Sequence, residues 1–167
     1  MRNIAFYGGN AICELGPVSD VVLFFDCVEI LVVSARPDLD WSVLTDKLYR
    51  RYIDVDFLPV ARARMSDVKA AFADIQSSAV EWNEAMLGNP SKTILNPTLG
   101  TLADVYARYF EFFEHCAASS SSFHETWGYQ VPIRTIVSDM PAMIVASDRP
   151  LAEHDALLPD EKPFWLR

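Results

Sequence analysis

Few side chains in this chain of 167 residues are placed for covalent chemistry, and each also has a structural use. Cys116 follows His115. A thiol nucleophile needs a base within hydrogen-bond reach. Neighbouring side chains diverge on a helix, so that base would be His124 or His154, brought up through space. A buried helix cysteine accounts for Cys116 equally. No Gly-x-Ser-x-Gly elbow is present. The histidines at 115, 124 and 154 have no HxxxH spacing, and the cysteines at 13, 27 and 116 form no CxxC pair. A zinc centre is therefore not indicated. Asp38/Asp40 and Asp54/Asp56 are Asp-x-Asp pairs of the kind a hard cation accepts. The first reads as helix capping and the second as a solvated turn ahead of a strand. No catalytic residue, metal or cofactor is assigned on these grounds.

The opening Ile4-Ala5-Phe6-Tyr7-Gly8-Gly9 ends in glycines, as a phosphate-binding loop does. The match then fails, because Asn10-Ala11-Ile12-Cys13-Glu14 supplies no Lys and no second glycine pair. A hairpin turn is the better account.

What remains is surface. Asp54, Asp56, Asp67 and Asp74 lie between and along two neighbouring elements, and Glu111 and Glu114 lie three apart on one helix. A solvated face is the plain use of such acids. The sharper one is an anionic patch that docks a cationic partner. On that reading the contact residues are Asp54, Asp56, Asp74, Glu111 and Glu114. Arg62, Arg64 and Lys69 are the one basic cluster that interrupts them. The whole-chain balance agrees: 23 acids against 14 bases give a net charge of −9. Such a surface repels phosphate backbones and steers basic partners inward.

The elements that position these groups are legible in part. Asn3–Tyr7 and Ala11–Leu15 read as two strands of a hairpin. Val21–Val33 is ambiguous: its Val and Ile content favours a strand, whereas its length and the Ser19-Asp20 start signal favour a buried helix. The balance falls to helix. Asp38–Ile53 is a helix with Asp40 as cap, Trp41, Leu44 and Leu48 on one face, and an Asp46/Arg50 pair. Val55–Val60 is a candidate edge strand around Pro59. A helix is expected from Ser66-Asp67 to Ser78, a short strand at Val80-Glu81-Trp82 and a loop over Gly88–Pro97. Thr101 opens the clearest helix, Leu102–Ala117, which Ser119–Ser122 should end. Val131–Val137 and Ala142–Ala146 read as strands and Leu151–Leu158 as a short helix. The Phe164-Trp165 tail is expected to pack onto the body.

Hydrophobic residues at 51% and aromatics at 12% exclude a disordered chain. The length fits one globular domain over 1–167, with a Pro-punctuated C-terminal extension from about 119. The expected class is α+β, a mostly antiparallel sheet packed with three to four helices. Three cysteines are too few and odd in number for a disulfide framework, so reduced, buried thiols are expected. Met1-Arg2-Asn3 does not open a signal peptide. Val21–Val33, cut by Asp26 and Glu29, is too short to cross a bilayer. A cytoplasmic protein with neither membrane nor direct nucleic-acid contact is expected.

Several of these segments carry a resemblance. They are the first strand running into Ile12-Cys13-Glu14-Leu15-Gly16, Asp20 with Phe24-Phe25, Leu44 with Leu48-Tyr49, Ser66–Ile75, Val80-Glu81-Trp82 and the aromatic helix Leu102–Phe113. This layout is similar to small immunity proteins of bacterial polymorphic-toxin systems, including contact-dependent growth inhibition. It covers roughly Asn3–Ala117, with gaps, and rests on apolar patterning. The resemblance implies a non-enzymatic cytosolic protein that neutralises one cognate toxin domain, often a basic nuclease. It carries over no specific interface residue. The alternatives are a small cytosolic hydrolase using Cys116 or a His/carboxylate pair, and a subunit that dimerises through its aromatic tail.

Overall fold

The computed structural model describes residues 3–80, 94–95, 100–138 and 163–166. Strands β1 (Asn3–Gly8) and β2 (Ala11–Pro17) form the expected antiparallel hairpin, with Phe6 opposite Cys13 and Gly8 opposite Ala11. Gly9 takes φ +59° in the turn, a conformation that side chains beyond glycine resist. Strand β3 (Arg134–Val137) pairs antiparallel with the other edge of β1, so the strand order is β2-β1-β3. The middle strand is buried continuously from Ile4 to Gly8, while β2 alternates, with Ala11, Cys13 and Leu15 inward. The class is α+β, as expected.

Val18–Cys27 forms helix α1 and Val28–Val33 continues it as a π-helical segment, which resolves the ambiguous stretch in favour of helix. The start differs from the sequence reading. Pro17, with extended backbone and no side-chain cap bond, takes the N-cap position in place of Ser19. Asp20 is fully buried in the first turn, where the free backbone N–H groups favour a carboxylate. The helix expected over Asp38–Ile53 is shorter at both ends: its core, Val43–Leu48, is π-helical, and Ile53 instead forms a β-bridge to Ile133. Asp40 does not take the N-cap position, which is Ser42's and has no side-chain cap bond; it accepts the Ser42 N–H at 2.9 Å just ahead of the segment. The Asp46/Arg50 pair forms, and Arg51 adds a contact to Asp46 at 3.6 Å. These groups are about one-third exposed, so the pair is worth a few tenths of a kcal/mol.

The candidate strand at Val55–Val60 is overturned. Val55–Phe57 is a 3-10 turn and Leu58–Ala73 is helix α2. Pro59 sits in the first turn of that helix, where its missing N–H removes no intrahelical bond. Asp54 starts the turn by accepting the Phe57 N–H at 3.2 Å. Ser66-Asp67 is thus inside the helix and does not begin it.

Thr101 and Asp104 form a reciprocal capping box at the start of α3 (Leu102–Val105). After a break at Tyr106, helix α4 runs from Ala107 to Trp127. It passes straight through Ser119–Ser122, which were expected to end it. Two of those serines are used as contacts. Ser119 Oγ donates to Asn10 Oδ1 at 2.7 Å and accepts the Asn10 N–H at 3.1 Å, and Ser120 Oγ donates to the Val131 carbonyl at 2.8 Å. Gly128, at φ +76°, ends the helix in the left-handed conformation.

The described residues beyond 119 pack against the same core. β3 completes the sheet, Ile133 bridges to Ile53, and Trp165 is buried with its indole N–H donating to the Tyr49 carbonyl at 2.7 Å. That indole contact bears out packing of the tail at Trp165. The proposed strand at Val80-Glu81-Trp82 is not begun at Val80, and its other two residues lie outside the described ones. Most of the Gly88–Pro97 loop, the Ala142–Ala146 strand and the Leu151–Leu158 helix lie outside them too. Among the described residues, no helix is long and apolar enough to cross a membrane.

One hydrophobic cluster reaches from Ile4 to Trp165. Phe24 is its hub, with ring centroids 5.1 Å from Tyr109, 5.2 Å from Tyr106 and 6.1 Å from Phe72. This one side chain ties α1 to α2, to the break at Tyr106 and to α4. Phe24→Ala should therefore cost about 3–5 kcal/mol, read as a fall in the urea midpoint at unchanged slope. A loss below about 1 kcal/mol would show that the hub is not where the core is held.

Candidate functional site

The sequence-predicted contact residues do not form one patch. Asp54 and Asp56 stand at the N-terminal end of α2, where Asp54 is occupied as a cap. Asp74 is exposed at the opposite end. Sixteen helical residues separate the two ends, which is about 24 Å. Asp74 also sits at a helix C-terminus, where the dipole opposes a negative charge.

Glu111 and Glu114 lie between those ends, on the flank of α4 that faces α2. They border a groove of about 290 Å³ together with Arg62, Lys69, Met65 and Phe113. Arg62 is within 2.9 Å of Glu114. Two bases answer two acids, so this groove is close to neutral. Its chemistry suits a mixed-charge contact better than capture of a cation.

A different site carries two carboxylates that form no ion pair among the described residues. Phe25, Asp26, Glu29, Thr45 and Tyr49 line a cleft of about 220 Å³ at the junction of α1 and its π-helical continuation. Both carboxylates are exposed, and neither has an ion-pair partner among the described residues. The aromatic wall is closely packed. Phe25 and Tyr49 meet edge to face at 5.0 Å, and the buried Trp165 backs both. Burial, and then Asp26, push the Tyr49 hydroxyl above the usual phenol range. Beside the cleft, Ile30 is 67% exposed. Two carboxylates over an aromatic wall can hold a guanidinium or ammonium group by charge-assisted hydrogen bonds and cation–π contact.

Sequence reasoning missed this cleft because Asp26 and Glu29 were read as interruptions of an apolar run. Their spacing of three places them on one helical face, and that was the available signal. A third surface holds Phe123, Trp127 and Tyr129, with Trp127 64% exposed. Phe123 and Trp127 line a hollow there together with His115, Asn10 and the hydroxyls of Ser119, Ser122 and Thr126, and no carboxylate lines it.

The thiols are placed against nucleophilic chemistry. Cys116 is fully buried, and its sulfur lies 3.9 Å from Cys13 Sγ and 4.0 Å from the Ala11 carbonyl. His115 points elsewhere and is exposed. Burial holds the Cys116 thiol far above its ordinary value, so a thiolate is not available near neutrality. Among the described residues no histidine pairs with a carboxylate, and no cluster of potential ligands could hold a metal. His154 lies outside the described residues.

Burial pushes the Cys27 thiol up to about 11, helped by Asp26, against an ordinary 9.0. Cys13, Tyr106 and Tyr109 move the same way, each chiefly through burial. The folded protein thus keeps protons that the unfolded chain releases, so stability is full below pH 9 and declines as pH rises towards 11. Arg134 acts oppositely: burial draws it down to about 10 from 12.5, so its contribution rises with pH, but only above about 10. The urea midpoint should be flat between about pH 6 and 8 and fall between about 9 and 10. A midpoint that does not fall in that window would show the thiols to be solvated.

Comparison with protein families, curated proteins and solved structures finds no match to this chain.

Proposed function

We propose that this protein is a neutralising inhibitor that binds a basic toxin domain, in the manner of the polymorphic-toxin immunity proteins its sequence resembles. The observation that carries the reading is the Asp26/Glu29 cleft, whose carboxylates form no ion pair among the described residues, with its Phe25–Tyr49 wall, set in a chain of net charge −9. An arginine or lysine of the toxin enters the cleft, and Ile30 covers apolar surface beside it. Such a desolvated, centrally placed contact is the kind that dominates interface energies. The wider negative field raises the encounter rate and is screened by salt. If the toxin is a nuclease, the captured base is one that would otherwise hold a phosphate of its substrate. The reading implies a cytosolic location in the producing cell and requires no cofactor.

The test is calorimetry and stopped-flow binding against the C-terminal domain of a large secreted protein encoded immediately upstream. The wild type should bind one to one at nanomolar affinity and abolish the toxin's activity. Asp26→Lys/Glu29→Lys should weaken binding by about 100-fold or more, and Glu111→Gln/Glu114→Gln by less than about threefold. No binding at micromolar concentration overturns the inhibitor reading. Tight binding that ignores the Asp26/Glu29 change but responds to the Glu111/Glu114 change moves the interface to the α2–α4 groove and overturns the cleft.

A further inference from the structure

Cys13 and Cys116 belong to different elements and are distant in sequence, yet their sulfurs are in van der Waals contact. Cys13 lies on the inward face of β2, which is a free edge of the described sheet, and Cys116 lies on α4. The sulfurs are 3.9 Å apart, across 103 positions of chain. A disulfide needs them about 2 Å closer. Cys27 is also buried, but it packs at Tyr106, away from this pair. Both partners are free thiols in the structure.

We infer that Cys13 and Cys116 form a redox-closable pair, a modification site that staples the edge strand to the long helix when the protein meets a small-molecule disulfide. Cys13 is the entry point, since it is 9% exposed on an edge strand and Cys116 is 0% exposed. The Cys13 thiol gives its proton to water, and its thiolate attacks one sulfur of the oxidant RSSR. The oxidant S–S bond breaks, Cys13–S–S–R forms, and the departing RS⁻ takes a proton to become RSH. Cys116 then loses its proton and attacks the Cys13 sulfur. The Cys13–Cys116 bond forms as the mixed bond breaks, and a second RSH leaves. Two electrons pass from the cysteines to RSSR, and the two thiol protons end on the two RSH.

Burial raises both thiols, Cys116 the more, so closure is slow near neutrality and quickens with pH. The pair is therefore a latent staple, in contrast to a rapid catalytic dithiol. It is independent of the toxin-binding reading, because the Asp26/Glu29 cleft lies at the other end of α1 from the hairpin.

The experiment uses the full-length Cys27→Ser variant, so that the remaining two thiols are the pair itself. The folded protein is held with excess oxidised glutathione at about pH 8.5, quenched with an alkylating agent and weighed intact. The expected product has lost about 2 Da and carries no alkyl group, with a Cys13–Cys116 cross-link in the peptide map. Cys116→Ala should stop at one glutathione on the protein, and Cys13→Ala should react at least about tenfold more slowly. Wild type is run in parallel and should retain one alkylatable thiol, Cys27. Retention of both thiols in the folded Cys27→Ser protein while the urea-unfolded chain oxidises would overturn the inference. So would a stable glutathione adduct that never resolves, or a wild-type cross-link that includes Cys27.

Discussion

Helix α4 lies so close to the β1–β2 turn that no side chain fits between them. A Cβ on Gly8 would stand 2.9 Å from the Cys116 carbonyl oxygen, and one on Gly9 2.4 Å from that of Ser119. The paired glycines are therefore packing residues, and this explains why they resemble a phosphate loop without its lysine. The same approach lets Ser119 clasp Asn10, and it lets Tyr109 reach the Leu15 carbonyl at 3.2 Å. A helix of 21 residues, about 31 Å long, is held along the hairpin from end to end. Once α4 is fixed there, its aromatic face sets where α1 and α2 can pack, because Phe24 and Phe72 close against Tyr106 and Phe110.

This close contact also separates the two kinds of polar group in the protein. Asp20, Arg134 and Ser120 are buried in the interior. Each must be satisfied there, because an unmet buried polar group costs more than a hydrogen bond returns. Such groups disfavour alternative packings of an otherwise greasy core. The acids outside face no such demand. Asp38, Asp46, Asp67 and Glu114 are tied to neighbouring arginines, whereas Asp26 and Glu29 are left to solvent beside an aromatic wall.

Sequence reading succeeded where one local rule acted alone. The hairpin, the Asp46/Arg50 pair and the Thr101 start each rest on short-range geometry, and each is present. It failed where a residue's usual habit was overruled by a distant partner. Ser119–Ser122 look like a stop until Asn10 and Val131 are seen to use two of the hydroxyls. Pro59 looks like an edge-strand residue until Asp54 caps a turn ahead of it. The acidic residues failed for a related reason. Sequence shows where charges are, but Arg62 and Lys69 oppose Glu111 and Glu114 only after α2 and α4 pack.

Net charge alone therefore does not locate a partner. Ion pairs cancel equal charges within a few ångströms, and salt screens the remaining excess of nine negative charges beyond about 10 Å. What persists at contact range is the site whose carboxylates have no ion-pair partner among the described residues and whose wall is closely packed. The Phe25–Tyr49–Trp165 stack supplies that packing, since Trp165 is held by the Tyr49 carbonyl and is buried beneath both rings. A closely packed wall loses little freedom when a cation docks, so more of the interaction survives as affinity. The terminal Trp165 thus connects the two ends of the reading: the tail that completes the core also backs the cleft in which an arginine or lysine would be bound.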